Sequence, residues 1–261
     1  MPRRLIVNAD DFGFTRDVNE GILACHRDGI LTATTLMTTG GAFRHAVELA
    51  KSNSSLDVGC HLVLVQGPGL PPHMVALMEA ILRKRIDILR QLRAQIEIVL
   101  KAGLRPTHLD THKHTHLLPP VRQAVLRVAA EYNIPWVRKP VDFRLDRSAP
   151  LATQAIAATM GLALGGFDRL MARAGAKRTD HFMGFQLTGR MTPENLALTL
   201  RSLPEGTTEL MCHPGFLGAE LPTAKTRLKQ SRVEEWRALC SPAVRAVLKQ
   251  GEIQLTNYRA L

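Results

Sequence analysis

The sequence has few of the features that stabilise secreted domains. Its 261 residues include four cysteines, Cys25, Cys60, Cys212 and Cys240, and none belongs to a CxxC pair. This number and spacing give no disulfide framework and favour a reducing compartment. The opening stretch MPRRLIVNAD lacks the apolar segment and cleavage site of a signal peptide. We therefore expect a cytoplasmic location.

Long apolar runs and aromatic residues are also scarce. The longest weakly polar stretch, residues 151–166, is shorter than the ~20 apolar residues of a spanning helix, so stable membrane insertion is not expected. Aromatic residues make up 5% of the chain, too few to suggest stacking platforms for nucleic acid. No GxGxxG or GxxxxGK[ST] follows the first strand-like run, which disfavours dinucleotide-binding and phosphate-loop folds.

Positive charge is in excess, with a net charge of +11 at pH 7. The Lys and Arg residues are spread along the chain, and the densest cluster, Arg83-Lys84-Arg85, lies in a helix-like stretch. This distribution favours a solvated basic face. A non-enzymatic protein that binds polyanions or a membrane surface is the alternative.

Strand-like and helix-like runs alternate along the chain, with about eight strands in all. This pattern predicts one α/β domain over residues 1–261, with a parallel sheet covered by helices. The pattern alone leaves open whether the sheet is a closed barrel or an open, doubly wound sheet. Helical periodicity also predicts a long helix from about His73 to Ala102 and a further helical stretch over residues 151–174.

Polar residues collect where the predicted strands end. Asp10 and Asp11 close the first strand, His61 lies in the third, Arg138 ends the fifth and His213 ends a late one. In parallel α/β folds the carboxyl ends of the strands build the functional site, so these residues are expected to meet. The alternative for the two acids is a hydrogen-bonded turn.

The segment HLDTHKHTH is rich in metal-binding residue types. If it were extended, its even-numbered residues would share one side of the strand. These residues are His108, Asp110, His112, His114 and His116. Imidazole and carboxylate groups commonly bind catalytic divalent ions. The alternatives are an adventitious metal-binding loop and a polar surface run.

Four segments in order, LIVNADDFG, GCHLVL, PTHLDTHKHTHLLP and ELMCHPGF, resemble the YdjC-like carbohydrate deacetylases. That family includes chitooligosaccharide deacetylases (ChbG type) and hopanoid-associated enzymes (HpnK type). The similarity runs from near residue 3 to the C-terminus. It implies a variant (β/α) barrel with mostly parallel strands and one divalent ion, Mg²⁺ or Zn²⁺. It also implies that the substrate is an acetylated amino sugar, in an oligosaccharide or glycolipid, and that its N-acetyl group is hydrolysed.

The resemblance also implies a role for individual residues. Asp11, His61 and His112 would bind the metal ion. Asp10 would be the catalytic base, and His213 would be the general acid or would stabilise the transition state.

Other features are left open by the resemblance. Arg138 is the candidate substrate contact. The segment between Leu64 and Arg83 is shorter than the loop usual in the family, which leaves specificity open, and the roles of His114 and His116 are not assigned. A homodimer is compatible with the sequence. No nucleic-acid partner is expected.

A second hypothesis keeps the metal ion but changes the reaction to that of a phosphoesterase-like hydrolase. Such an enzyme is expected to hold two metal ions and more carboxylate ligands than the motifs supply.

Overall fold

An eight-stranded sheet forms the centre of the computed structural model, which describes residues 2–164 and 166–261. The strands are β1 (Arg3–Phe12), β2 (Ala33–Leu36), β3 (Asp57–Leu62), β4 (His108–Thr111), β5 (Trp136–Val137), β6 (His181–Met183), β7 (Gly206–Cys212) and β8 (Gln254–Leu255). The helices before β5 are α1 (Arg16–Asp28), α2 (Phe43–Ser52), α3 (Met74–Leu82), α4 (Ile88–Lys101) and α5 (Pro119–Glu131). Those after β5 are α6 (Leu151–Ala163), α7 (Phe167–Arg173), α8 (Pro193–Arg201), α9 (Gln230–Leu239) and α10 (Pro242–Gln250). Short 3₁₀ helices cover His112–Leu117, Leu221–Thr223 and Tyr258–Ala260.

Neighbouring strands are parallel, in the order β5-β4-β3-β2-β1-β7-β6, with β8 beside β1. Two isolated parallel bridges, Trp136 to Lys177 and Asp142 to Phe182, link the β5 and β6 ends of this order. The sheet is therefore curled, and the predicted α/β barrel-like fold is confirmed.

The core lies on both faces of this sheet. Leu5, Ile6 and Val7 in β1 are fully buried, as expected for strands that helices cover on both sides. Helix starts follow the local signals in the sequence. α8 is an example, because the Thr192 hydroxyl caps it by accepting a hydrogen bond from the Asn195 amide.

The predicted long helix from His73 to Ala102 is wrong, because the chain breaks it into α3 and α4. Lys84 adopts a left-handed conformation, with φ 52°, which a continuing helix cannot accommodate. Asp87 then caps α4 by accepting from the Arg90 amide. The helical stretch predicted over residues 151–174 forms α6 and α7, and Gly165 between them lies outside the described residues.

Within the part of the chain that the structure describes, no single helix has the length and apolar composition to cross a membrane. One pair of helices, Leu151–Leu162 and Phe167–Arg173, passes the same test when taken together, with a bend of 46° between them.

Candidate active site

The carboxyl ends of the strands bring the predicted site residues together. Asp10 and Asp11 lie on β1, His61 on β3 and Asp110 on β4, while Arg138 and His213 directly follow β5 and β7. The hydrogen bonds and ion pairs of these side chains form one connected cluster. The expectation that distant segments converge here is met by the geometry.

A backbone irregularity lets both adjacent acids enter this cluster. Regular alternation would point Asp10 and Asp11 to opposite faces of β1. The register between β1 and β2 shifts between Ala9 and Phe12, and Asp11 adopts φ 67°. Aspartate is among the residue types that tolerate this left-handed region. As a result, both carboxylates lie beside His61.

Three potential ligand atoms converge around Asp11. Its Oδ1 atom lies 3.5 Å from His61 Nε2 and 3.3 Å from His112 Nδ1, and the two histidine nitrogens are 3.2 Å apart. A cation with bonds of about 2.1 Å holds tetrahedral ligands roughly 3.4 Å apart. Asp11 Oδ1 is also buried with no hydrogen-bond partner, which is costly unless an ion binds it. These residues fit a divalent metal ion.

Asp110 orients the His61 ring. Its Oδ1 atom lies 2.8 Å from His61 Nδ1, so Nε2 faces Asp11 and His112. A carboxylate behind a histidine ligand is the usual support for metal binding. Burial opposes the charged ring, but Asp110, Asp10 and Asp11 together outweigh burial and raise the pKa of His61 to about 9. A cation at Nε2 would displace this proton.

The expectation that the even-numbered residues from His108 to His116 share one side is wrong. β4 ends at Thr111, and the chain turns into a 3₁₀ helix in which Lys113 and His114 adopt left-handed φ values of 57° and 52°. The Thr111 hydroxyl accepts a hydrogen bond from the His116 amide and so closes the turn. The turn places His112 at the site mouth, where its side chain is 20% exposed.

The other histidines of this segment support the site from behind. His108 Nε2 lies 2.9 Å from Asn8 Oδ1, and the Asn8 amide donates to Asp10 Oδ1 at 3.0 Å. His116 lies between the Thr111 hydroxyl and the Arg138 carbonyl, at 2.5 and 3.1 Å. Neither ring is directed at the triad of ligand atoms.

His114 differs because it lies against aromatic rings. Phe182 and Phe185 lie 6.5 and 5.9 Å from it, between ring centroids. Burial holds the pKa of His114 well below its usual range, so the ring is neutral at pH 7. Its Nδ1 atom is buried without a hydrogen-bond partner.

Arg138 lies at the centre of a carboxylate cluster. Its guanidinium donates to both Asp10 oxygens at 2.7 Å, to Glu209 at 2.6 Å and lies 2.5 Å from Asp110 Oδ2. Burial alone would raise the pKa of Asp10, but Arg138, together with His61 and His213, outweighs burial and holds the pKa well below its ordinary value. The Arg138 side chain is 1% exposed. A contact between Arg138 and the substrate stays a prediction. In the structure its guanidinium N–H groups contact carboxylates of the protein itself.

Two residues of α9 reach this site that sequence reasoning missed. Arg232 donates to Asp11 Oδ2 at 2.5 Å, which leaves Oδ1 facing the two histidines. Glu235 accepts a hydrogen bond of 2.5 Å from the His213 amide. Both side chains are buried, and both lie on one face of α9 because they are three residues apart. The segment SRVEEWRAL gives no local signal for this, because the burial of its charges is known only from the structure.

His213 lies between Asp10 and Glu235. Its Nε2 atom is 4.0 Å from Asp10 Oδ2, and its Nδ1 atom is 4.0 Å from Glu235 Oε2. Burial lowers the pKa of His213 to about 4, so the imidazole is neutral at pH 7. Burial likewise raises the pKa of Glu235 to about 7.

The raised pKa of Glu235 predicts a pH-dependent stability difference for Glu235→Gln. Between pH 4.5 and 7 the Glu235 carboxyl is ionised in the unfolded chain but protonated in the folded protein. The free energy of unfolding of the wild type therefore falls as pH rises through this range. Gln cannot titrate. Between pH 5 and pH 8 we expect the free energy of unfolding of the variant to rise by about 2–3 kcal/mol relative to that of the wild type. Urea unfolding at a series of pH values measures this difference. Glu234→Gln, at a partly exposed neighbour paired with Arg237, is the control, and its free energy of unfolding should not rise in this way. Parallel pH profiles for Glu235→Gln and the wild type would contradict the prediction.

Comparison with known proteins identifies the family of this chain. The family model described as YdjC-like protein matches residues 4–250. A carbohydrate deacetylase of Geobacillus stearothermophilus is 34% identical, covering 99% of this chain and 98% of that protein. A chitooligosaccharide deacetylase of Klebsiella pneumoniae is 31% identical over 99% of each chain. A crystal structure from Enterococcus faecalis superposes with a TM-score of 0.77 at 26% identity, covering 100% of this chain and 99% of that one. With a match over nearly the whole chain, the resemblance seen in the four motifs is confirmed, and the chain belongs to the YdjC-like protein family.

Proposed function

We propose that this protein is a metal-dependent deacetylase that removes the N-acetyl group of an amino sugar, carried on an oligosaccharide or a glycolipid. The observation that carries the proposal is the triad of ligand atoms on Asp11, His61 and His112, 3.2–3.5 Å apart. It lies beside an ionised, arginine-bound Asp10. The full-length relatives named carbohydrate deacetylase support the same chemistry.

In this proposal Asp11, His61 and His112 hold the ion, and Arg232 and Asp110 hold two of those ligands in place. Two imidazoles and one carboxylate favour Zn²⁺ over Mg²⁺, which prefers oxygen ligands. A bound divalent ion would polarise the acetamide carbonyl and lower the pKa of water.

Asp10 is the proposed proton acceptor. Arg138 keeps its carboxylate ionised and fixes both oxygens, so the group does not rotate away from the site. It therefore receives the proton of the attacking water. Because its low pKa makes Asp10 a weak base, it depends on the lowered pKa that a bound divalent ion would give the water, and it passes the proton on readily.

His213 is the proposed proton donor to the departing nitrogen. Because its imidazole is neutral at pH 7, it must first receive a proton before it can donate one. Asp10 Oδ2 lies 4.0 Å from His213 Nε2 and is a suitable source. The water proton thus reaches the amine through Asp10 and His213, and acetate and the free amine are the products.

A second metal ion, which the phosphoesterase hypothesis needs, has weaker support. A second group of ligand atoms, on Asp10, His61 and Asp110, does lie close together. However, the Arg138 guanidinium already contacts Asp10 and Asp110 at 2.5–2.7 Å, which supplies the positive charge there. A site for one ion suits amide hydrolysis in this protein better than a two-metal phosphoester reaction.

Acetate release is the direct test. Purified protein is incubated with N-acetylglucosamine oligomers and with acetylated glycolipids, before and after treatment with a chelator. We expect acetate release that the chelator abolishes and that added Zn²⁺ restores more fully than Mg²⁺.

Three results would each count against the proposal. Full activity in the chelated protein would remove the metal ion from the mechanism. Release of phosphate from a phosphoester, without acetate from any acetylated substrate, would favour the phosphoesterase. Salt-sensitive binding of polyanions without turnover of any substrate would favour a non-enzymatic binder.

A further inference from the structure

Two helices expose apolar side chains that a water-facing surface does not normally present. On α3 these are Val75, Met78 and Leu82, with Leu82 80% exposed. On α6 they are Leu151, Ile156 and Leu162, with both leucines 82% exposed. We call these six residues the apolar rim. Surface helices ordinarily turn such residues inward and polar residues outward.

The outward face of α6 is almost free of polar groups. The helix contains no Asp, Glu, Lys, Arg or His. From Leu151 to Leu162, its exposed positions besides the three rim residues are Ala152, Ala155, Ala158, Thr159 and Gly161. The Thr159 hydroxyl donates to the Ile156 carbonyl at 2.7 Å, so it is already satisfied within the helix. The side of this helix that faces solvent is therefore its apolar side.

Both helices follow, in the chain, the carboxyl ends of strands that carry the candidate active site, α3 after β3 and α6 after β5. α3 leaves the carboxyl end of β3 and precedes α4, the helix that runs back along the sheet. The loop before α6 binds residues just past the carboxyl end of β6, since the Gln186 side chain accepts from the Asp146 amide. Phe167 of α7 lies 6.5 Å from the His116 ring, between ring centroids.

Exposed cations lie next to both helices in the chain. Arg144, Arg147, Arg169 and Arg173 flank α6 in the chain, and no carboxylate among the described residues pairs with them. Arg83, Lys84 and Arg85 directly follow α3 and are exposed. Of the exposed acids beside these helices, Asp168 pairs with Lys139 and Arg178, and Glu79 pairs with Arg83, while the Asp87 side chain caps α4.

An apolar helix face bordered by Lys and Arg is the pattern of a protein that lies in a membrane interface. The apolar side chains enter the acyl boundary while the cations contact anionic headgroups. We infer that the apolar rim docks the protein onto an anionic lipid bilayer, with the opening of the active site on the docked side. Docking is peripheral and does not require a helix to span the membrane. It is independent of the proposed reaction.

Vesicle co-sedimentation tests the inference without any activity measurement. Purified wild-type protein is mixed with vesicles of phosphatidylcholine alone or with about one third phosphatidylglycerol. We expect binding to the anionic vesicles, weaker binding to the neutral ones, and loss of binding as salt rises. Replacing Leu151, Ile156 and Leu162 together with serine is expected to weaken binding to anionic vesicles about tenfold or more.

A matched variant separates the rim from apolar surface in general. Ile98, Leu100 and Leu255 are also exposed but lie in the second half of α4 and on β8. Their triple serine variant should bind vesicles like the wild type. Because the three α6 positions are exposed, the α6 variant should keep the wild-type melting temperature.

Several outcomes would overturn the inference. These are no binding to either vesicle type, equal binding to neutral and anionic vesicles, and equal binding by the α6 variant and the wild type. A dimer in sedimentation velocity that the α6 variant converts to a monomer, without vesicle binding, would instead assign the face to a second copy of the chain.

Discussion

Asp10→Asn is expected to lower kcat for acetate release by about 100- to 10,000-fold, the usual contribution of a positioned proton acceptor. The variant should still bind the divalent ion with nearly wild-type affinity, because the triad of ligand atoms belongs to Asp11, His61 and His112. The substituted amide would keep an oxygen for the Arg138 guanidinium, so the fold should be retained. The measurements are steady-state acetate release and calorimetric titration of the chelated protein with Zn²⁺.

Asp11→Asn is the matched variant because it changes the neighbouring carboxylate in the same way. It should lose ion binding and activity together, since Asp11 Oδ1 is the atom that faces both histidines. If Asp10→Asn instead kept full turnover, or if Asp11→Asn kept the ion, the division of roles between the two acids would be wrong.

Arg138→Met is expected to produce the largest loss of stability, about 3–5 kcal/mol in the free energy of unfolding, because it leaves buried charges without a partner. The guanidinium contacts three buried carboxylates, Asp10, Asp110 and Glu209. Removing it leaves those acids facing one another without their shared cation. Urea unfolding at pH 7 measures the loss, and Arg138→Lys, which keeps the charge but not the planar fork, should lose less.

A second variant tests whether charge is the cause. Adding Asp10→Asn to Arg138→Met removes one of the unpaired acids, so the double variant should be less destabilised than the sum of the two single changes. The loss for Arg138→Met should also shrink as pH falls from 7 to 5. Buried acids without a cation have raised pKa values, so their protonation restores stability at lower pH. A loss that is additive and independent of pH would show that packing, not charge, dominates.

The local sequence determined where most elements begin and end. β-branched and apolar runs gave the strands, and the Thr192 cap of α8 was predictable because its hydrogen bond joins residues three positions apart. Long-range context decided the exceptions. The helix predicted from His73 to Ala102 has apolar spacing on both sides of the Arg83-Lys84-Arg85 cluster, and only the structure shows Lys84 leaving the helical conformation.

Some residues of the candidate site were predictable from the sequence, and others were shown only by the structure. Asp10, Asp11, His61 and His213 were found from sequence because the carboxyl ends of parallel strands share one edge of a sheet. The turn at His112 was not found, because it depends on a hydrogen bond from the His116 amide to Thr111 that competes with continued pairing of the strand. Arg232 contacts Asp11 across 221 positions of the chain, and no local pattern specifies such a pair.

By itself, then, the sequence determined the residue types of the site, the edge of the sheet on which they lie and the family to which the chain belongs. Only the tertiary structure decided how those residues are used. It bound Arg138 to three acids, turned Asp11 into the cleft beside Asp10, and placed Arg232 and Glu235 behind Asp11 and His213. The physical reason is that a buried charge is destabilising unless an opposite charge or a hydrogen bond pairs with it. Packing between distant segments determines which partners are within reach.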